Sequence, residues 1–296
     1  MHVFVTGASG WIGSAAVDEL LSAGHEVTGL ARSESSAGAL AARGVRVRRG
    51  DLDDLDGLRA GAAEADAVLH LANKHDFEHP EVSNRAERST VEAITDVLAG
   101  SDRPFLLAAG TVGLATGRPG TEDDRAPFVG PDAPRGGSEN LALERVEQGV
   151  RTVSVRFAPT VHGTGDHGFI AILAAVAKAR GVSAHVDEGT NRWPAVHVSD
   201  AARLVRLGLA APAGSVLHAV AEEGVPTRDI AAAIGRSLGL PVTSVPQAEA
   251  VAHFGWIGSF FALDVATSST LTQQRLGWTP TGPTLLQDLD AGAYRV

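Results

Sequence analysis

A chain of 296 residues, 44% apolar and 20% charged, is long enough to bury a large core and has the make-up of a folded enzyme. A net charge of -10 with no basic patch argues against a nucleic-acid partner, and no apolar stretch approaches the length of a membrane span. The absence of cysteine excludes disulfides, thiolate nucleophiles and cysteine-based metal sites.

The chain opens directly on the apolar run Val3-Phe4-Val5, which reads as a buried parallel strand and leaves no room for a signal peptide, so a cytoplasmic protein is expected. Gly7, Gly10 and Gly13 follow, then Ala16, Val17, Leu20 and Leu21 at helical spacing up to Gly24, then a β-branched run at 27–31. Strand, glycine triplet, helix and strand in that order form a β-α-β unit. Its glycines permit a tight turn, a close backbone approach to a pyrophosphate and close helix packing, with the phosphate on the helix N-terminus. The competing reading is a glycine-rich turn in a cofactor-free α/β protein.

Further along, helices are expected at 37–42, 54–61, 82–98 and 140–148, and strands at 45–49, 67–72, 104–109 and 152–156. Residues 117–137, rich in Gly, Pro and Asp, read as a long loop of the kind that is usually functional or mobile. The alternation predicts a Rossmann-like, doubly wound parallel sheet. Beyond it come a helix at 169–179, an extended piece at 193–198 running into a helix capped by Ser199 or Asp200, a strand at 216–220, a helix at 226–238 and a strand at 241–245. The expected division is a dinucleotide-binding domain over 1–160, with segments near 190–220 returning to it. Residues 161–296 would form a smaller, discontinuous C-terminal substrate lobe over the carboxyl ends of the strands.

Several motifs carry a resemblance. Thr6-Gly7-Ala8-Ser9-Gly10-Trp11-Ile12-Gly13 resembles the TGxxGxxG signature of the extended short-chain dehydrogenase/reductases, the NAD-dependent epimerase/dehydratase family. Gly50-Asp51-Leu52 is similar to that family's adenine-contacting GDL, and His70-Leu71-Ala72 to its HLA after the fourth strand. Pro159-Thr160-Val161-His162-Gly163 resembles the PxxVYG segment beside the nicotinamide, residues 196–201 the VHVxD, and residues 276–280 the LGWxP. The resemblance implies a cofactor site made by Thr6, Gly7, Ser9, Gly10, Trp11, Ile12, Gly13, Arg32, Asp51, Leu52, Leu71, Ala72, Ala109 and Pro159. Where NAD-binding members carry an acidic residue for the ribose 2′-OH, this chain has Arg32. A guanidinium suits a 2′-phosphate, so NADP is expected over NAD; the alternative is a solvated loop charge that leaves either cofactor acceptable.

The resemblance breaks at the chemistry. The family uses a Ser or Thr with a Tyr and a Lys in YxxxK, the Lys lowering the pKa of the Tyr acid/base. The one tyrosine here, Tyr294, lies near the C-terminus with no lysine after it. Registering 135–139 on YxxSK puts Arg135 at the Tyr position and Glu139 at the Lys position, with Ala109 at the serine and Thr111 two residues on. Three readings stay open: an oxidoreductase with a different proton donor, a cofactor-binding regulator or scaffold without turnover, or a loop whose register differs. Arg135 and Glu139 either act at the site or form an i,i+4 surface pair. His162 and His167 are candidate proton donors by resemblance, or hydrogen-bonded loop histidines. Trp193 and Phe169 either line the cleft or fill core. His75 and His79 have i,i+4 spacing but no third ligand, so no metal is expected. The expectation is an NADP(H)-binding oxidoreductase acting on a small-molecule substrate, without nucleic acid or membrane and compatible with a homodimer. It would reduce an activated C=C bond or an unusual carbonyl.

Overall fold

The first apolar run becomes β1 (His2–Thr6), buried from Val3 to Thr6, in a computed structural model that describes residues 1–74 and 79–295. Alternation continues through α1 (Trp11–Ser22), β2 (Glu26–Ala31), α2 (Glu34–Ala41), β3 (Arg46–Arg49), α3 (Leu55–Ala63), β4 (Ala67–His70), α4 (Pro80–Leu98), β5 (Pro104–Gly110), α5 (Ser138–Glu144) and β6 (Arg151–Phe157). Then come β7 (Thr160–His162), α6 (Phe169–Arg180), β8 (Ser183–Val186), β9 (Arg192–His197), α7 (Val198–Gly208), β10 (Ser215–Ala219), β11 (Glu222–Pro226), α8 (Thr227–Leu238) and β12 (Val242–Val245). Four short helices close the chain: α9 (Ala250–Phe254), α10 (Ile257–Phe261), α11 (Thr270–Leu276) and α12 (Leu285–Ala291).

Seven strands make one sheet in the order β3-β2-β1-β4-β5-β6-β10. β1 runs parallel to β2 and β4, β2 to β3, and β4 to β5. The strand order reverses between β1 and β4, and in open α/β sheets ligands bind at the carboxyl ends of the strands flanking such a switch. β4 is buried throughout, as a central parallel strand covered on both faces must be. Phe4, Leu58, Val68, Val91, Ile94 and Phe105 share one core cluster. Gly61 lets α3 approach it, because a Cβ there would lie 2.6 Å from the Phe4 ring.

By contacts the chain divides into two units: Met1–Ala109, Arg125–Arg156 and Ala202–Leu217 form the first, and Gly110–Asp124, Phe157–Ala201 and His218–Val296 the second. In the second, β9 lies between β7, parallel, and β11, antiparallel, while β8 and β12 pair in parallel. Its core holds Ile170, Leu173, Trp193, Ile230, Ile257 and Phe261.

Two local expectations change. The helix expected at 140–148 ends at Glu144 and tightens into a 3-10 turn, Arg145–Gln148, stopped by Gly149 at φ +77°. Asp200 does not cap α7; it lies inside the first turn, and its carboxylate accepts from the Thr281 N–H (3.0 Å) and the Gly282 N–H (2.8 Å). Trp278 donates from Nε1 to the Asp200 carbonyl (3.1 Å), so the VHVxD-like and LGWxP-like motifs meet in one structural clasp. Residues 111–133 form no helix or strand apart from a bridge between Gly120 and Thr267. Among the described residues no helix is long and apolar enough to cross a membrane.

Candidate functional site

The glycine triplet sits where β1 passes into α1. Gly7 has φ +71°, and a Cβ there would lie 2.7 Å from the Ala72 nitrogen, so the loop packs on the chain leaving β4 at Leu71 and Ala72. A Cβ at Gly13 would overlap the Gly7 carbonyl oxygen. Gly10 precedes α1 without a capping side chain, Ser9 and Gly10 are exposed, Trp11 and Ile12 half-buried, and the first turn carries no acid. The first-turn N–H groups lack intrahelical acceptors and sit at the positive end of the helix dipole. Loop and helix start together fit a phosphate group.

At the end of β2, Arg32 is exposed and has no ion-pair partner among the described residues. Ser33 beside it caps α2, accepting from the Ser36 N–H at 3.1 Å. Arg49, the neighbouring cation on β3, is committed to Glu34 (2.7 Å) and the Ser33 carbonyl (2.6 Å). Asp51 is exposed and accepts the Asp53 N–H (2.8 Å), while Leu52 is buried. Ala109 is buried at the end of β5.

The segment in the YxxSK register departs most from expectation. Arg135, Gly136 and Gly137 have φ of 55°, 61° and 62°, three left-handed residues in succession. This run places Arg135 outside the helix that begins at Ser138, so Arg135 and Glu139 do not form the surface pair that their spacing allows. Each has a different partner. Arg135 Nη2 donates to Glu87 Oε1 (2.7 Å), and Glu139 Oε1 accepts from Arg156 Nε (2.6 Å) and Ser154 Oγ (2.7 Å). Glu87 is fully buried; it also accepts from Asn73 Nδ2 (3.1 Å) and lies 3.5 Å from His70 Nε2. Burial pushes its carboxyl upward, but the Arg135 and His70 charges outweigh burial and hold it down to about 2. His70 Nδ1 in turn meets Thr6 Oγ1 (2.7 Å) at the end of β1.

Glu87 carries no motif, and reading the sequence for signatures passes over it. Its signal is phase: it falls on the stripe of α4 shared by Val91, Ile94 and Leu98, where a lone carboxylate needs a buried partner.

In the second unit, Thr111 is buried, its N–H donates to the Phe157 carbonyl (3.3 Å), and its Oγ1 has no hydrogen-bond partner among the described residues. Pro159 is half-buried ahead of β7. His162 has no exposed surface; Nδ1 meets Asp288 Oδ2 (2.6 Å), Nε2 lies 3.9 Å from Glu222 Oε2, and the ring packs edge-on against His197. Burial lowers its pKa despite the Asp288 carboxylate. A proton donor must reach its acceptor, and of the two readings open for His162 this enclosure is the arrangement of a hydrogen-bonded histidine. His167 is exposed and, with Asp166, Lys178, Leu238 and Tyr294, lines a cavity of about 670 Å³. Tyr294 is buried and donates from its hydroxyl to Asp166 Oδ2 (2.8 Å), so the tail is anchored in this unit. Trp193 is core, with Phe260 and Phe261 edge-on to it. His75 lies outside the described residues; among the described residues no three His, Asp or Glu side chains gather as a metal site.

Known proteins align with this chain along its length. It is 49% identical over 296 residues to uncharacterized protein C2A9.02 of Schizosaccharomyces pombe, covering 99% of this chain and 100% of that one. A ketoreductase of Stigmatella aurantiaca named for 4-hydroxy-2-methyl-3-oxo-4-farnesyl-3,4-dihydroquinoline-1-oxide is 30% identical over 181 residues, 57% of this chain and 53% of that one. A 2-alkyl-3-oxoalkanoate reductase of Shewanella oneidensis is 40% identical over 73 residues, 25% of this chain and 18% of that one. UDP-glucose 4-epimerase of Thermus thermophilus, solved in complex with NAD, shares the fold with a TM-score of 0.74 at 20% identity, covering 100% of this chain and 99% of that one. The model of the NAD dependent epimerase/dehydratase family matches residues 3–219, and the chain belongs to that family.

Proposed function

We propose that the chain is an NADP(H)-dependent oxidoreductase acting on a small organic substrate, with Arg135 and Glu139 standing where the family has its tyrosine and lysine. The observation that carries this reading is the exposed Arg32 beside the start of α2, without an ion-pair partner among the described residues and with no carboxylate at the end of β2 to receive a ribose 2′-OH. The Gly7–Gly13 loop and the start of α1 would hold a pyrophosphate, Asp51 and Leu52 the adenine side, and Leu71, Ala72 and Ala109 the remainder. A nicotinamide dinucleotide bound there would supply or accept a hydride.

The reductases among the relatives, both named for 3-oxo compounds, support a carbonyl substrate. A carbonyl under reduction gathers negative charge on oxygen and must be protonated, and a guanidinium is no useful proton donor at neutral pH. With His162 enclosed, water or a weak acid is the proton source in this reading. Thr111 and His167 remain candidates by resemblance alone. A cytoplasmic location is part of the proposal, since a chain without cysteine needs no oxidising compartment.

A second reading, an NADP-binding regulator without turnover, is favoured by one fact: Arg135 and Glu139 are each tied into an ion pair. Following loss of NADPH with enones, quinones, simple ketones and 3-oxo acids separates the two. The proposal expects turnover on at least one class. Tight NADPH binding with no turnover on any of them would favour the regulator.

A further inference from the structure

The guanidinium of Arg135 is fixed with unusual care for a side chain that remains 35% exposed. Its backbone is left-handed, a conformation that costs a non-glycine residue about 1 kcal/mol or more and persists only where the surroundings impose it. Three contacts impose it. The Arg135 N–H donates to Asn84 Oδ1 (2.8 Å), and Arg88 Nη1 donates to the Gly136 carbonyl (3.0 Å). Gly136 and Gly137 have no room for a Cβ, which would lie 2.5 Å from the Asn84 carbonyl oxygen and 2.7 Å from the Gly130 nitrogen. One end of the guanidinium is then held by buried Glu87, whereas Nε is buried and has no acceptor among the described residues.

The place of this group is set by polar contacts within the first unit. Glu87 is linked through His70 to Thr6 at the end of β1, and through Asn73 to the chain that packs on Gly7. These are the carboxyl ends of β1 and β4, the switch point of the sheet, where a bound ligand is expected. With Nη2 anchored on Glu87 and Nε buried, Nη1 at the open end of the planar guanidinium is the donor left for a carboxylate.

We infer that Arg135 recognises a carboxylate on the substrate, and that Glu87 is the positioning residue that aims it. Resting on the reading of the chain as an oxidoreductase of carbonyl compounds, this narrows the substrate to an oxo acid. The test uses 3-oxohexanoate and its methyl ester as probes, titrated calorimetrically into the protein saturated with NADP+, so that no turnover is needed. The native protein is expected to bind the acid at least about tenfold more tightly than the ester, the scale of a charge-assisted hydrogen bond. Arg135→Gln should abolish that preference. Arg135→Lys should restore only part of it, because an ammonium lacks the fork. Glu87→Gln, nearly isosteric, should reduce the preference while Arg135 is still present.

Equal affinity for acid and ester in the native protein, or a preference that survives Arg135→Gln, would overturn the inference. If Glu87→Gln fails to fold, the two Arg135 variants, altered at a partly exposed side chain, still decide it. Acid-selective binding without NADPH turnover on any carbonyl would leave this inference standing and remove the oxidoreductase. Turnover without acid selectivity would do the reverse.

Discussion

Each unit buries a cluster of ionisable side chains, and the two are electrostatic opposites. In the first, Glu87 is kept charged, because a guanidinium and an imidazole outweigh the cost of burial. In the second, His162 is kept neutral, because burial outweighs the carboxylate of Asp288 at 2.6 Å. Asp166 and Glu222 are likewise pushed upward from their ordinary values, first of all by burial. The difference shows what each cluster is suited to do. A charged pair with one partly exposed arm presents a fixed cation, whereas an enclosed set whose charged forms burial disfavours binds elements together.

The largest expected effect is on the charged cluster. Glu87→Ala leaves the partly exposed Arg135 without its partner and opens a cavity, and should cost about 2–3 kcal/mol in urea unfolding, with Glu87→Gln costing less. A loss under about 1 kcal/mol would mean the pair is not coupled to the fold. Because its folded pKa is depressed, Glu87 adds stability that is fully present above its unfolded value near 4.5 and is lost as pH falls toward about 2.

His162 should reveal itself in a different pH window. Its folded pKa is lowered, so the unfolded chain takes up a proton that the folded one refuses, and stability should fall as pH drops below about 6.5. Asp166 and Glu222 act with the opposite sign, each losing stability as pH rises from its unfolded value through its raised folded one. Melting curves collected over this range should therefore slope downward toward acid in the native protein and flatten in His162→Gln. An unchanged slope in that variant would assign the window to another group.

Tyr294→Phe should be the mildest change, about 1–2 kcal/mol, through loss of the hydroxyl that Asp166 accepts. Its effect on NADPH binding should be nil, since Tyr294 lies outside every motif that the resemblance assigns to the cofactor.

The legible and illegible parts of this chain divide by the kind of constraint. The glycine loop could be read from its letters because backbone geometry permits so few residues there: Gly7 needs a left-handed φ and Gly13 has no room for a Cβ. The strands up to β6 other than β3 were readable for a similar reason, being largely buried apolar runs between turn residues, whereas β3 is arginine-rich and has no buried residue. The four short helices after β12 went unseen, since α9 and α10 have only five residues each and too little periodicity to register. Arg135 and Glu139 are singled out by registering 135–139 on the family's YxxSK, whereas their partners carry no such mark. Glu87 lies 48 residues from Arg135 and Arg156 lies 17 from Glu139, and pairings across such distances are decided by packing. The same holds for His162, whose companion Asp288 is 126 residues away.

The central claim, that this loop and Arg32 form an NADP(H) site, is tested most directly by titrating NADPH and NADH into the native protein and into Arg32→Asp, followed by tryptophan quenching. NADPH should bind the native protein at least about tenfold more tightly than NADH, as expected for a charge-assisted contact to phosphate. Arg32→Asp should erase or invert that ratio, and being exposed it should leave stability within about 0.5 kcal/mol. Equal affinities in the native protein, or a ratio that the substitution does not move, would contradict the account.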